Sequence, residues 1–415
     1  MKLYKLSAFM FSALLLASCS DIDNQEYAGG AISGEQSQET NSAIPSRTKA
    51  TFAGMFTLIG DPCHNYQTHF SDTRPDDFGF VMSAISLDLE GADMSMQDNG
   101  YNWFSASDEL SSRNANYANP YVRYVIPYTS LGIANDIINA FPADTKDAEA
   151  INMIAQAKTI RAFDYLSLAP YFQGSYQTSK DKPCVPLLDG KNDYTNNPRA
   201  TVAEVYTAII DDLSYAIDNL TDAREDKSRI NKSVALGLRA RAYLYMGEYA
   251  KALVDAEAAM KGYTPASLAD VSVPGFDDSS ASNWMWTYDL TDDQVASAAA
   301  SYATAASWMS AFCGQGYAVA TGNVPMINKL LYDKIPATDV RKGWWLDENL
   351  HSPLLANLEW KDSKGNVLAK GDAIAPLKIK DVKEPLVAYA NVKFGMKSGV
   401  GSSKNNNSWP LMRVE

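Results

Sequence analysis

Leu16-Ala17-Ser18-Cys19 is the stretch with the best-defined chemistry in the chain. Small side chains ahead of a cysteine fit the pocket of a lipoprotein signal peptidase, and Cys19 then becomes the lipid-bearing residue. The flanks agree. Lys2 and Lys5 make a positive start, and Leu6 to Ala17 form an apolar run broken only by Ser7 and Ser12. That run has the length of a signal-peptide core and is too short to span a bilayer, which takes about 20 residues. Residues 1–18 therefore read as a lipoprotein signal peptide. Each buried CH₂ adds about 0.8 kcal/mol and a single chain anchors only marginally, so the several acyl chains of a lipoprotein cysteine hold a protein on a membrane without a spanning helix.

Catalytic signals are poor. The histidines are His64, His69 and His351. His64 and His69 lie near Cys63, but they lack the i, i+4 spacing and the partner cluster of a metal site. Asp211-Asp212 and Asp292-Asp293 are paired carboxylates, yet neighbours in a helix do not face each other, so both pairs read as solvated. Asp289, Asp292 and Asp293 are a minor candidate set for calcium. No zinc-protease, nucleophile-elbow or phosphate-loop motif occurs, and Gly314-Gln315-Gly316 lacks a third glycine at dinucleotide spacing. Besides Cys19 there are Cys63, Cys184 and Cys313, an odd number that rules out a full disulfide framework; one pair stays open in an oxidising compartment, and mostly free, buried thiols are expected. A net charge of −13 repels phosphate, which argues against nucleic acid as a partner. The expectation is a protein without a catalytic site, resident metal or cofactor.

The elements that would carry any site are mainly helices. Residues 19–46 are rich in Gly, Ser, Gln and Asn, a composition that cannot bury enough surface to order itself. As a flexible tether of about 27 residues they reach roughly 30 Å. The rest is long enough for two or three domains or one helical array, and 46% hydrophobic residues supply a large core. Ser46 is read as the cap of a helix to about Ile59, ended by Asp61-Pro62. Residues 63–99 read as mixed and loop-rich. Helices are expected over 115–140, disturbed by Pro120 and Pro127, and over 147–171, where Ile151, Ile154, Ala155, Ala162, Leu166 and Ala169 share a side. Thr201-Val202-Ala203-Glu204 is a capping box opening a helix with Val202, Val205, Ile209, Leu213, Ala216, Ile217 and Leu220 in one stripe and Asp211, Asp212 and Asp218 toward water. Helices 231–246 and 248–261, turned at Gly247, form a tetratricopeptide-like pair; the second shows Tyr249, Ala252, Leu253, Ala256 and Met260. One such pair cannot bury its own face, so neighbours must stack on it. Asn283 to Tyr288 alternates like a strand, with Trp286 and Tyr288 inward.

Several of these stretches together resemble the SusD/RagB family. Arg161-Ala162-Phe163-Asp164-Tyr165 with Pro183 to Leu188 is similar to its RAF-x-Y helix and VPL loop. Asn197-Pro198-Arg199-Ala200-Thr201-Val202-Ala203-Glu204-Val205-Tyr206, then Ile210 to Leu213, resembles its PR-x-TV-x-EVY and I-x-DL marks. Arg229 to Lys232 and Tyr243 to Gly247 resemble its helical pair. Asp339-Val340-Arg341, Lys393-Phe394 and Pro410 to Glu415 resemble its D-x-R, KF and PLMR-x-x-E marks. In the family the last of these opens a helix followed by others, whereas this sequence stops there, so the resemblance implies apolar faces left uncovered.

The resemblance implies a mainly α, SusD-like fold: tetratricopeptide-like pairs forming a solenoid over 47–262, with a loop-rich, mixed region over 263–415 packed on it. It also implies a glycan-binding lipoprotein of the outer membrane, facing the cell exterior, with a SusC-like TonB-dependent transporter and an oligosaccharide or polysaccharide as partners. Asp21, Asp23 and Glu26 resemble a lipoprotein surface-export signal. Binding residues vary in the family, so chemistry must locate them. Sugar rings pack C–H faces on aromatic rings, and their hydroxyls need amide or carboxylate partners. Tyr101, Asn102 and Trp103, after Asp98-Asn99-Gly100, are one candidate set; Tyr302 and Trp308 are another. The competing reading for both is core packing. Trp344 and Trp345 read as structural. Two other functions stay open: a surface-anchored helical glycoside hydrolase or lyase, and a helical solenoid that binds only protein.

Overall fold

The computed structural model describes residues 39–40, 44–60, 79–96, 110, 113–115, 118–191, 196–289, 325–361, 364–374, 387–395, 397 and 407–415. Its body is a stack of helices, with short strand pairs between and after them.

Besides a single turn over Tyr176–Ser179, the helices are α1 (Pro45–Met55), α2 (Gly79–Glu90), α3 (Ala118–Asn139), α4 (Ala148–Phe172), α5 (Val202–Asn219), α6 (Lys232–Met246), α7 (Tyr249–Ala259) and α8 (Lys329–Lys334). Proline, not Ser46, opens α1: Pro45 occupies its first turn, where a missing N–H costs nothing, and Ile44 caps it without a side-chain bond. Its last turn tightens over Phe56–Ile59. The loop expected over 63–99 contains α2, an apolar helix with no charged residue before Asp88. Helix α3 carries Pro127 in its interior. Helix α4 starts on Asp147, whose carboxylate accepts from the Glu149 N–H at 3.1 Å, and it is buried along nearly its whole length.

Helix α5 starts on the expected capping box. Glu204 N–H donates to Thr201 Oγ1 at 3.2 Å, and the Glu204 carboxylate takes the Thr201 N–H at 2.7 Å. Its stripe Val202, Val205, Ile209, Leu213, Ala216 and Ile217 is buried, each fully buried Val, Ile or Leu contributing about 1.5–3 kcal/mol. Asp212 corrects the sequence reading. It is 5% exposed, not solvated, because it lies one turn from Ile209 and faces two cations of α4. Helices α6 and α7 form the expected pair, turned at Gly247, whose φ of +78° is left-handed and favours glycine. The pair meets through small residues and the Arg239–Asp255 ion pair at 2.6 Å. The expected apolar stripe of α7 is not all inward: Tyr249, Leu253 and Met260 are exposed, as is Val254.

The strands are β1 (Met94–Ser95), β2 (Pro183–Pro186), β3 (Arg199–Thr201), β4 (Trp284–Asp289), β5 (Met326–Ile327), β6 (Glu359–Lys361), β7 (Val367–Lys370) and β8 (Ser408–Arg413). Strand β4 is where 283–288 was expected, and Trp286 and Tyr288 are buried in the main core. Both faces of β4 are covered, so Trp284 and Met285 are buried as well. It pairs antiparallel with β8. The stretch from Pro410, which by resemblance should open a helix, is therefore a strand up to Arg413. Trp286 packs edge-on against Phe163 of α4, with ring centroids 5.1 Å apart, and its indole donates to Ser228 O at 3.2 Å. This ribbon joins the second half to the helices. A separate small core of Leu346, Leu355, Trp360, Ile374, Ala390 and Val392 holds the rest together.

Candidate functional site

The residues singled out for ligand contact, Tyr101, Asn102, Trp103, Tyr302 and Trp308, lie outside the described residues, as do Cys19, Cys63, Cys313, His64, His69, Asp292 and Asp293. Cys184 is described and is a buried free thiol. The frame that flanks the candidate segments is also described. Strands β1 and β5 pair antiparallel, Met94 opposite Ile327 and Ser95 opposite Met326, and Asn328 N–H donates to Asp93 O at 3.0 Å. The chain entering the segment with Tyr101 to Trp103 thus lies beside the chain leaving the segment with Tyr302 and Trp308.

Two further segments extend this frame. Asn391 N–H donates to Pro325 O at 2.9 Å and Ile327 N–H to Tyr389 O at 3.1 Å. Beyond them, Leu346 N–H donates to Ala390 O at 3.0 Å and Val392 N–H to Trp344 O at 2.9 Å. Four stretches therefore run side by side in the order 94–95, 326–327, 389–392 and 344–346.

A lysine inside an aromatic box closes one side of this frame. Lys393 Nζ sits 4.3 Å from the Phe276 ring centre, 4.6 Å from Trp344 and 5.0 Å from Phe394. Burial, with Arg413 nearby, pushes the Lys393 amine down to about 8. The Trp344 indole donates to Val271 O at 2.9 Å, consistent with the structural role read for Trp344. The D-x-R mark is a local cap: Asp339 accepts from the Arg341 N–H at 3.0 Å and from its guanidinium at 2.6 Å.

Among the helices, a cleft of about 580 Å³ opens beside α3. The rings of Tyr124 and Tyr128 are 4.4 Å apart. Its amides are committed to structure: Asn135 donates to Leu188 O at 3.0 Å and accepts from Arg161 at 2.7 Å, while Tyr128 donates to Pro186 O at 2.6 Å. These bonds fix the 183–190 loop against α3. A smaller, mostly apolar cavity of about 170 Å³ lies where α2, α3 and α4 meet. Asp164 borders it, and burial pushes its carboxyl well above the usual range despite the Ser130 hydroxyl. Among the described residues no group of three or more His, Cys, Asp or Glu side chains could hold a metal ion.

Sequence reasoning missed Asp212, the Lys393 box and the partners of Asp164. The available signal for the first was Lys158 and Arg161, two cations three residues apart on a helix that is buried along most of its length.

A family profile described as SusD-like, "Starch-binding associating with outer membrane", matches residues 80–244, the span of α2 to α6. Over this span the chain is similar to the SusD/RagB family. A SusD-like carbohydrate binding protein from Bacteroides vulgatus has the same fold, with a TM-score of 0.65 at 19% identity over 89% of this chain and 68% of that one. A SusD-like protein of Bacteroides ovatus is 30% identical over 123 residues, 28% of this chain and 21% of its own length. The SusD-like protein P2 of Formosa agariphila is 25% identical over 261 residues, 62% of this chain and 46% of its own. The chain thus spans less than half the length of these curated SusD-like relatives.

Proposed function

We propose that this SusD-like chain is a non-catalytic, cell-surface glycan-binding lipoprotein. Acyl chains on Cys19 hold it to the outer membrane, residues 19–46 tether it, and it delivers oligosaccharide or polysaccharide to a SusC-like TonB-dependent barrel. In this reading residues 47–262 form the helical scaffold and 263–415 the loop-rich region packed on it. The sugar lies on Tyr101, Trp103, Tyr302 and Trp308, with Asn102 bonding its hydroxyls.

The observation that carries this reading is the β1–β5 pair. Met94 lies opposite Ile327, so segments far apart in sequence leave the frame at one place. Tyr101 is five residues beyond Met96, a reach of at most about 18 Å at full extension. The family profile, whose description names starch binding, and the carbohydrate-binding structural relative support the ligand class. Absence of a spanning candidate among the described helices is compatible with anchoring through lipid.

The test is purification of the intact protein from its own outer membrane. Co-elution of a TonB-dependent barrel with the wild type, and loss of membrane retention in Cys19→Ser, are expected. Unchanged membrane retention of Cys19→Ser contradicts the anchor, and elution without a barrel contradicts the partnership.

A further inference from the structure

Trp344 ends a 3-10 turn over Val340–Trp344, and the adjacent Trp345 turns into extended chain, so the two rings serve different surroundings. Trp344 closes the Lys393 box. Trp345 instead lines a cleft of about 620 Å³, a volume within the usual range for ligand pockets. The Trp345 backbone is held in place by its bridge to Asn391, so its ring sits on a fixed element.

A second ring faces the same cleft. Tyr332 packs edge-on against Tyr389 at 5.2 Å. The Lys342 ammonium lies 4.8 Å from the Tyr332 ring centre and is tethered to Ile335 O at 2.9 Å. Polar groups complete the lining. Asp347 Oδ1 accepts the Asn349 and His351 N–H groups at 2.8 and 2.9 Å, which fixes the carboxylate and leaves its second oxygen available. His351 Nδ1 meets Asp372 Oδ2 at 2.8 Å, which orients the imidazole and leaves Nε2 to bond elsewhere. Asp372 is held in turn by the Ser352 N–H at 3.2 Å.

The combination is two part-exposed aromatic rings, fixed carboxylate acceptors, an imidazole and an ammonium. Lys342 and His351 share the lining with Asp339, Asp347 and Asp372, so the cleft does not favour an anion. That suits a neutral hydroxylated ring better than a phosphate or a free acid: the rings take its C–H faces and the fixed polar groups its hydroxyls. Their hydrogen bonds already hold these side chains in place, so little ordering entropy is lost on binding.

We propose that the Tyr332–Trp345 cleft is a second subsite for neutral carbohydrate, acting on the same polymer as the loop platform. The proposal rests on the glycan-binding reading above. Segment 344–346 lies three strand spacings from 94–95 in the frame, about 14 Å at roughly 4.8 Å per step. One chain engaging two sites gains avidity without any new contact at either.

The experiment is native affinity electrophoresis of the full chain through gels containing soluble amylopectin, laminarin, xylan or pectic galactan. The polymer that retards the wild type is then used for Trp345→Ala, Trp345→Phe and His351→Ala, with circular dichroism to confirm folding. Trp345→Ala should weaken retention about tenfold or more, as loss of a binding tryptophan commonly does. Trp345→Phe should restore most of it, and His351→Ala should weaken it about fivefold, the loss of one hydrogen bond. Full retention of both Trp345→Ala and His351→Ala overturns the second subsite and leaves the first intact. Retardation of the wild type by none of the polymers overturns glycan binding, and the subsite with it. Should the Trp345 and His351 variants both misfold, Tyr332→Phe and Lys342→Met replace them, Lys342→Met carrying the expected loss and Tyr332→Phe, which keeps its ring, expected to bind as wild type.

Discussion

Arg161 of α4 grips Asp212 of α5 with two prongs: Nε to Oδ2 at 2.7 Å and Nη2 to Oδ1 at 2.8 Å. Lys158 adds a third contact at 2.7 Å. The Arg161 and Asp212 side chains are only 15% and 7% exposed, so the pair sits in the seam between two core helices. Removing one partner strands the other in low dielectric, which costs far more than the intact pair contributes. Asp212→Ala should therefore destabilise the protein by about 3–5 kcal/mol in urea denaturation. A loss under about 1 kcal/mol, the value of a surface pair, would show the seam to be wet.

Asp164 offers the opposite case. Its Oδ2 has no hydrogen-bond partner, and burial raises its carboxyl above the ordinary 3.8. The folded state therefore holds a proton that the unfolded state releases, and stability falls as pH rises from about 4 toward the folded value. Asp164→Asn removes that dependence. Thermal melts of the two proteins should nearly coincide near pH 4 and separate in favour of the variant as pH rises to 8. A wild type that stays equal or better at pH 8 refutes a neutral Asp164.

Lys393 titrates the other way. Its folded value of about 8 lies below the ordinary 10.5, so the unfolded chain binds the extra proton between those values, and stability rises with pH across that window. Lys393→Met should flatten this rise. At pH 7 the variant also loses the ring contacts, worth about 0.5–2 kcal/mol. Identical pH slopes from 8 to 10.5 would mean that the amine is well solvated.

How much of this was legible follows from the range of the interactions. The Thr201–Glu204 box and the Val202 to Ile217 stripe were readable because helix caps and periodicity are local. So was Gly247, whose left-handed turn needs glycine. Asp212 was not, since its fate is decided by Arg161, 51 residues away. Strand β8 was misread because Trp409 pairs with Tyr288, and no pattern within 408–415 announces that partner. The candidate platform could be named by residue type alone, but only the tertiary contacts show that Trp344 closes the Lys393 box while Trp345 lines the cleft beside Tyr332.

Gly247 gives a local check. A Cβ there would lie 2.1 Å from Gln177 Nε2, in a backbone region that costs other residues about 1–2 kcal/mol. Gly247→Ala should lower stability by at least that much in chemical denaturation, since Gln177 must also give up its bond to Met246 O. A neutral effect would place the α6–α7 turn in another conformation.

The central claim is that aromatic rings of this chain hold sugar. Calorimetric titration of the intact protein with the glycan polymer that retards it addresses this directly, comparing wild type with the Trp103→Ala, Trp308→Ala double variant. The account predicts saturable binding by the wild type and a loss of about a hundredfold or more in the double variant, two tryptophan anchors removed. Equal binding by the two proteins would contradict it.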